Sequence, residues 1–179
     1  EYRLMLREDN ADLRLMEKGH ELGLIDADAV KALRERKAAI FGEIHRLKHT
    51  VIKPTEAVNR YLEDRSTAPI RTGTHLDQLL KRFELDYHLV ETFARSPETL
   101  TPRIIEQVEI EIKYEGYMTR QRQEIHKFKD AERIRIPPEL DYQKVHGLSN
   151  ELKDKLSRVR PESIGQASRM EGMTPAALS

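Results

Sequence analysis

Three arginines, Arg3, Arg7 and Arg14, lie in the opening stretch EYRLMLREDNADLRL, interleaved with Glu8, Asp9 and Asp12. Guanidinium groups at such spacing either neutralise phosphates or pair with neighbouring carboxylates. Both readings stand for these three. Two further basic groups raise the same question: Arg34, Lys37, Arg46, His49 and Lys53 share one segment, and Arg120, Arg122, Lys127, Lys129, Arg133 and Arg135 outnumber Glu124, Asp130 and Glu132 in another. Together they could form a phosphate-tracking surface, with ordinary helix-surface charge as the plainer alternative. His45 and His49 are four apart, a helical spacing that a metal can use, but no third ligand lies near and a solvated basic face explains them. Tyr114 and Tyr117 read as core aromatics rather than acid–base groups. The sequence contains no G-x-G-x-x-G, no G-x-x-x-x-G-K-[ST], no G-x-S-x-G and no H-E-x-x-H. No catalytic, cofactor-binding or metal-ligating residue is therefore assigned, and the expectation is a binding module.

The elements that must position these groups are helical. Asn10 can cap a short helix through Leu13, Leu15 and Met16, with Gly23 as a left-handed stop. Asp26 begins a longer one, in which Val30, Leu33, Ile40, Phe41, Ile44, Leu47 and Val51 recur at three- and four-residue steps until Pro54. Shorter helices are expected over about 55–64, 75–82 and 86–94. In EQVEIEIKY, Val108, Ile110, Ile112 and Tyr114 alternate as in a strand. Thr101-Pro102 is nevertheless a strong helix start, and nothing breaks the pattern before Gly116. At about 100° per residue, Ile104, Ile105, Val108 and Ile112 fill one arc, and Ile110, Tyr114, Tyr117, Met118, Ile125 and Phe128 fill a second. The spacing therefore predicts a helix over about 102–130, packed on two sides.

Pro137-Pro138 reads as a linker. Beyond it Ser149 caps NELKDKLSRV, Pro161 and Ser163 introduce IGQASRMEG, and Thr174-Pro175 starts a last helix. The expected fold class is all-α. Residues 1–9 read as a short strand-like piece, residues 10–136 as a helical bundle, and residues 137–179 as a small helical subdomain.

The totals restrict the partners. The 179 residues are 38% hydrophobic and 35% charged, with Lys+Arg and Asp+Glu equal at 31 each. Zero formal charge argues against general polyanion binding but not against a local basic patch. With no Cys there is neither a disulfide nor a thiolate metal site. No apolar run approaches the roughly 20 residues of a membrane span and no signal peptide is visible, so no membrane association and a cytoplasmic location are expected.

Three stretches in order, EYRLMLREDNADLRL, EQVEIEIKYEGYMTRQ and GLSNE…KL…RPESIGQASRMEGMTPAAL, resemble the C-terminal part of the MnmG (GidA) family, the flavin-dependent subunit of the tRNA wobble-uridine carboxymethylaminomethyl-modifying enzyme. The resemblance covers nearly the whole chain and is weakest from about 53 to 100. Met16 replaces an expected Thr, and His146 departs from the pattern before GLSNE. The resemblance implies that a preceding dinucleotide-fold portion binds FAD and uses NADH. It also implies that EYRLMLR is an orphaned strand at the junction, and that this chain alone is inactive. It further implies tRNA and a GTPase subunit of the MnmE family as partners, within a full-length homodimer. The tRNA-contacting positions expected are Arg3, Arg7, Arg14, Arg46, Lys53, Arg120 and Arg122. Gln166, Ser168 and Arg169 in the I-G-Q-A-S-R motif are expected to meet the partner. A helical protein-interaction scaffold without RNA contact is the alternative.

Overall fold

A computed structural model describes residues 2–174, 177 and 178. The chain divides into two compact units, Glu1–Met118 and Thr119–Ser179. In the first, α1 (Ala11–Glu21) and α2 (Ala27–His49) precede α3 (Glu56–Asp64), α4 (Leu76–Leu80) and α5 (His88–Phe93). Strands β1 (Val51–Ile52) and β2 (Thr74–His75) pair antiparallel, Val51 opposite His75 and Ile52 opposite Thr74. Helix α6 (Pro102–Arg133) starts in the first unit and ends in the second. The second unit adds a 3-10 turn (Tyr142–Lys144), α7 (Asn150–Val159) and α8 (Ile164–Ser168). The all-α reading holds, with the two-residue ladder as the strand content in named elements among the described residues.

Local chemistry sets the helix ends. The Asp26 carboxylate accepts from the Ala29 N–H at 2.7 Å to start α2, while Arg46, Lys48 and His49 occupy its last turn, where cations offset the helix dipole. Thr55 caps α3 through the Val58 N–H. Ser149 and Ser163 cap α7 and α8 through the Leu152 and Gln166 N–H groups. Asn10 does not cap α1 with its side chain. Its Oδ1 accepts from Arg14 Nε at 2.7 Å and its Nδ2 donates to the Met5 carbonyl at 3.2 Å. Gly23 takes the left-handed conformation, φ 73°, that stops α1.

The core of the first unit gathers Leu47, Leu62, Leu76, Leu89, Val108 and Ile112, all essentially excluded from water. Each buried aliphatic side chain contributes roughly 1.5–3 kcal/mol relative to exposure. Ile104, Val108 and Ile112 are the buried stripe of α6, so the alternation in EQVEIEIKY is a helix packed against this core. The second arc is only partly buried. Met118 is covered, but Tyr114 and Tyr117 are exposed and lean on each other with ring centroids 6.2 Å apart. Phe41, expected on the apolar stripe of α2, is also exposed; the buried positions there are Val30, Leu33, Ile40 and Leu47.

The strand expected at Tyr2, Leu4 and Leu6 is a pair of turns instead. The N–H groups of Met5 and Leu6 both donate to the Tyr2 carbonyl at 2.9 Å, which closes the backbone on itself and leaves Leu6 exposed.

The second unit has its own core of Tyr142, Leu156 and Ala167, with Ile136, Leu148 and Met170 against it. Pro137 and Pro138 lie inside this unit. Residues 134–136 are stitched to 162–164 by an antiparallel bridge between Arg135 and Ser163, with the Ile136 N–H on the Glu162 carbonyl and the Ile164 N–H on the Ile134 carbonyl. The helix expected to start at Thr174-Pro175 falls on residues that lie largely outside those described.

Candidate nucleic-acid interface

The basic residues divide into those that the fold consumes and those that it leaves exposed. Arg7 is consumed. Its Nε and Nη2 grip Asp9 at 2.9 Å each, Nη1 donates to the Leu4 carbonyl at 2.9 Å, and Nη2 also reaches Glu111 of α6 at 3.4 Å. The hydrogen bond to Asp9 is the main reason that its guanidinium is held above, and the Asp9 carboxyl below, its ordinary range. Arg46 is consumed as well: Nε and Nη2 meet the Glu43 carboxylate at 2.8 and 2.6 Å, and Nη1 donates to the Ala94 carbonyl at 3.0 Å. Arg14 is half-buried against Asn10.

The side chains of Arg3, Lys53, Arg120 and Arg122 are exposed and make no hydrogen bond or ion pair among the described residues. Arg3 and Lys53 belong to the first unit, and Arg120 and Arg122 to the second. On α6, 100° per residue brings Arg122, His126, Lys129 and Arg133 into one arc about 60° wide. Arg120 and Lys127 lie on the other flank of the exposed face. From Arg122 to Lys129 the rise is about 10.5 Å. Asp130 offsets part of this stripe, 2.8 Å from His126 and 3.6 Å from Arg133, but Lys129 stays unpaired among the described residues. The opposite side of α6 carries the half-buried Ile125 and Phe128.

Charge per unit, invisible in the total, follows this division. The second unit holds 12 Lys+Arg against 9 Asp+Glu, and the first 19 against 22. Counting by segment rather than by chain would have exposed the asymmetry from sequence. Grouping by helical period would have joined Lys129 and Arg133 to Arg122.

The positions expected to meet a partner are tied into the second unit. Gln166 accepts from the Glu162 N–H at 2.7 Å, Ser168 donates to the Gly165 carbonyl at 2.8 Å, and Arg169 pairs with Glu132 while lying 5.1 Å from the Phe128 ring centroid. Gln166 and Arg169 retain exposed surface.

His45 and His49 stack with ring centroids 4.1 Å apart, and His49 Nδ1 lies 2.7 Å from the His45 carbonyl. Among the described residues no third group joins them as a metal set. A cleft of about 420 Å³ in the first unit is bordered by Glu35, Gly42, Glu43, Arg46, Ser96 and Glu98. Its three carboxylates repel phosphate, and its guanidinium is already spent on Glu43. Residues of this kind do not fit a flavin or nicotinamide dinucleotide, whose pyrophosphate needs backbone N–H groups or free cations. Among the described residues no helix is long and apolar enough to cross a membrane.

Residues 27–122 match the family described as the tRNA modifying enzyme MnmG/GidA C-terminal helical domain, and residues 124–179 match its C-terminal helical bundle. Among similar proteins, the tRNA uridine 5-carboxymethylaminomethyl modification enzyme MnmG of Syntrophobacter fumaroxidans is 54% identical over 179 residues, covering 100% of this chain and 28% of that protein. The protein of the same name from Caldicellulosiruptor saccharolyticus is 49% identical, covering 100% and 29%. Among solved structures, GidA of Aquifex aeolicus in its form II crystal superposes with a TM-score of 0.60 at 32% identity, over 96% of this chain and 26% of that one. The chain thus spans under a third of the length of these relatives.

Proposed function

Because this chain belongs to the C-terminal helical family of the MnmG/GidA tRNA-modifying enzymes, we propose that it is a tRNA-contacting region of an enzyme that modifies the wobble uridine. The observation that carries this reading is the run of exposed Arg122 and Lys129 on α6, within the unit whose net charge is positive. Cations that neighbouring carboxylates do not neutralise are those that can release counterions from a phosphate backbone. Arg3, Lys53, Arg120 and Lys127 supply further exposed charge. Arg7 and Arg46 serve instead as internal struts that hold the first unit in shape.

The whole enzyme's FAD and NADH are bound, on this reading, by portions other than these residues, which supply recognition and no bond-making step. A GTPase subunit as partner and a homodimeric assembly complete the proposal. Exposed Gln166 and Arg169 are the surface offered to that subunit, with Ser168 holding the turn beneath them.

The test is tRNA affinity of the full-length enzyme measured at several salt concentrations. Replacing Arg122 or Lys129 with Ala should weaken binding of all substrate tRNAs alike and reduce the salt slope by about one unit each. Slopes unchanged in both variants, with the fold intact, would leave the helical scaffold without RNA contact as the better account.

A further inference from the structure

A groove of about 390 Å³ runs through the second unit between the segments stitched at residues 135 and 163. Ile136, Pro137 and Pro138 form one wall, Pro161 stands in the other, and Tyr142 also borders it. The volume falls in the range of roughly 300–1,000 Å³ usual for ligand sites. Arg135, Arg160 and Glu162 stand at its rim.

Two observations distinguish this groove from a packing defect. Tyr142 is only 5% exposed as a whole, and its hydroxyl, which makes no hydrogen bond among the described residues, remains accessible as a free donor at the groove. Arg160 ends α7 with φ at 46°, a left-handed conformation that glycine adopts at no steric cost. Here a long cationic side chain takes that position and reaches back over the groove, Nη1 donating to the Pro138 carbonyl at 2.6 Å. Arg135 is 2.9 Å from Glu162 and mostly exposed. The rim therefore carries two guanidinium groups against one carboxylate, over apolar walls.

We propose that this groove docks an extended acidic peptide segment of a protein partner, with a carboxylate received by Arg160, Arg135 and the Tyr142 hydroxyl and a neighbouring apolar side chain seated on Ile136 and the prolines. Charge complementarity selects the acid, and the idle hydroxyl supplies a donor to it. A nucleotide fits the surface less well. The buried Tyr142 ring leaves no open face for a base to stack on, and Glu162 opposes a phosphate chain.

The probe is the acetylated and amidated peptide Gly-Leu-Glu-Leu-Gly, titrated into the isotope-labelled chain and followed by amide NMR. Saturable shifts are expected at Ile136, Tyr142 and Glu162, and the same peptide with Gln in place of Glu should bind about tenfold more weakly. Arg160→Gly relieves the left-handed backbone, and Tyr142→Phe keeps the ring. Both should preserve the thermal midpoint and lose most of the binding, which a purely structural role would not produce. Should either variant fail to fold, the Glu and Gln peptides on the unaltered chain decide. Absent or non-saturable shifts, equal binding of the two peptides, or undiminished binding by both folded variants would overturn the proposal. Tighter occupancy of the same amides by a short uridine oligonucleotide would also overturn it and make the groove an RNA subsite.

Discussion

The Tyr87 hydroxyl donates to Glu43 Oε1 across 2.6 Å and so joins the start of α5 to the middle of α2. Glu43 is 4% exposed and also receives both Arg46 nitrogens and the Ser96 hydroxyl. A carboxylate so enclosed is stable only while its donors remain. Arg46→Ala should therefore cost about 3 kcal/mol, towards the low end for breaking a buried pair because the guanidinium keeps some contact with water. Urea unfolding checks it. A loss below half that value would mean that Glu43 finds water or another donor.

The same network sets an acid limit. Burial pushes the Glu43 carboxyl up, but the hydrogen bonds from Arg46, Tyr87 and Ser96 outweigh it and leave the group below its ordinary range. A folded value below the unfolded one, about 4.3, means that the unfolded chain binds the proton first as acid is added. The contribution of Glu43 is thus complete above that pH and drains away as pH falls through the folded value. Asp9, held down by Arg7, and Glu115, held down by Lys48 and Lys81, act in the same direction. Urea midpoints measured at pH 7, 4 and 3 should fall, and Glu43→Gln should fall less steeply from a lower start. An equally steep fall in the variant would remove Glu43 from the cause.

Arg7 and Arg3 should separate cleanly although they are four residues apart. Arg7→Ala removes a charged grip on Asp9 and a link to Glu111 and should cost about 2 kcal/mol. In the surviving folded enzyme it should leave the salt dependence of tRNA binding unchanged. Arg3→Ala should leave the melting temperature in place. Reversal of the two outcomes would put Arg7 on the RNA.

Gly165 is a packing point in the second unit. A Cβ there would lie 2.8 Å from the Glu132 backbone nitrogen and 2.7 Å from its Cδ, so the end of α6 itself would have to move. Gly165→Ala should destabilise the unit by about 1–3 kcal/mol. Amide exchange in 150–168 should rise accordingly. Unchanged protection there would show that the helices separate at no cost.

How far these features could be read from sequence depended on how far apart along the chain their partners lie. Helix α6 was legible through its own period despite the alternation in EQVEIEIKY, because Ile104, Val108 and Ile112 are neighbours on one turn or the next. The alternation in YRLMLR carried no equivalent constraint, and local hydrogen bonds to the Tyr2 carbonyl decided its form. Pairing with a neighbouring carboxylate was one of two readings open for Arg7, which the resemblance assigns to tRNA, and Asp9, two residues away, takes it. The grip of Glu111 on Arg7 and of Tyr87 on Glu43 was not legible, since no pattern links residues 104 and 44 positions apart. The same holds for Pro137-Pro138, whose turn chemistry suggested a linker while the Glu162 carbonyl anchors the segment within a unit.

Those long separations impose an order on synthesis. Arg7 waits for Glu111 and Asp12 waits for Arg103, 104 and 91 residues later. At 5–20 residues per second the first of these intervals lasts roughly 5–20 s, far longer than a helix needs to form. Throughout it, Ile40 and Leu47 of α2 lack Ile104, Val108 and Ile112 of α6, with which they share one core. The second unit closes through partners at most about 40 residues apart, such as Phe128 with Arg169 and Glu132 with Ser163. The first unit therefore stays open to premature contacts for longer while it is being made, and the second can fold sooner after it emerges.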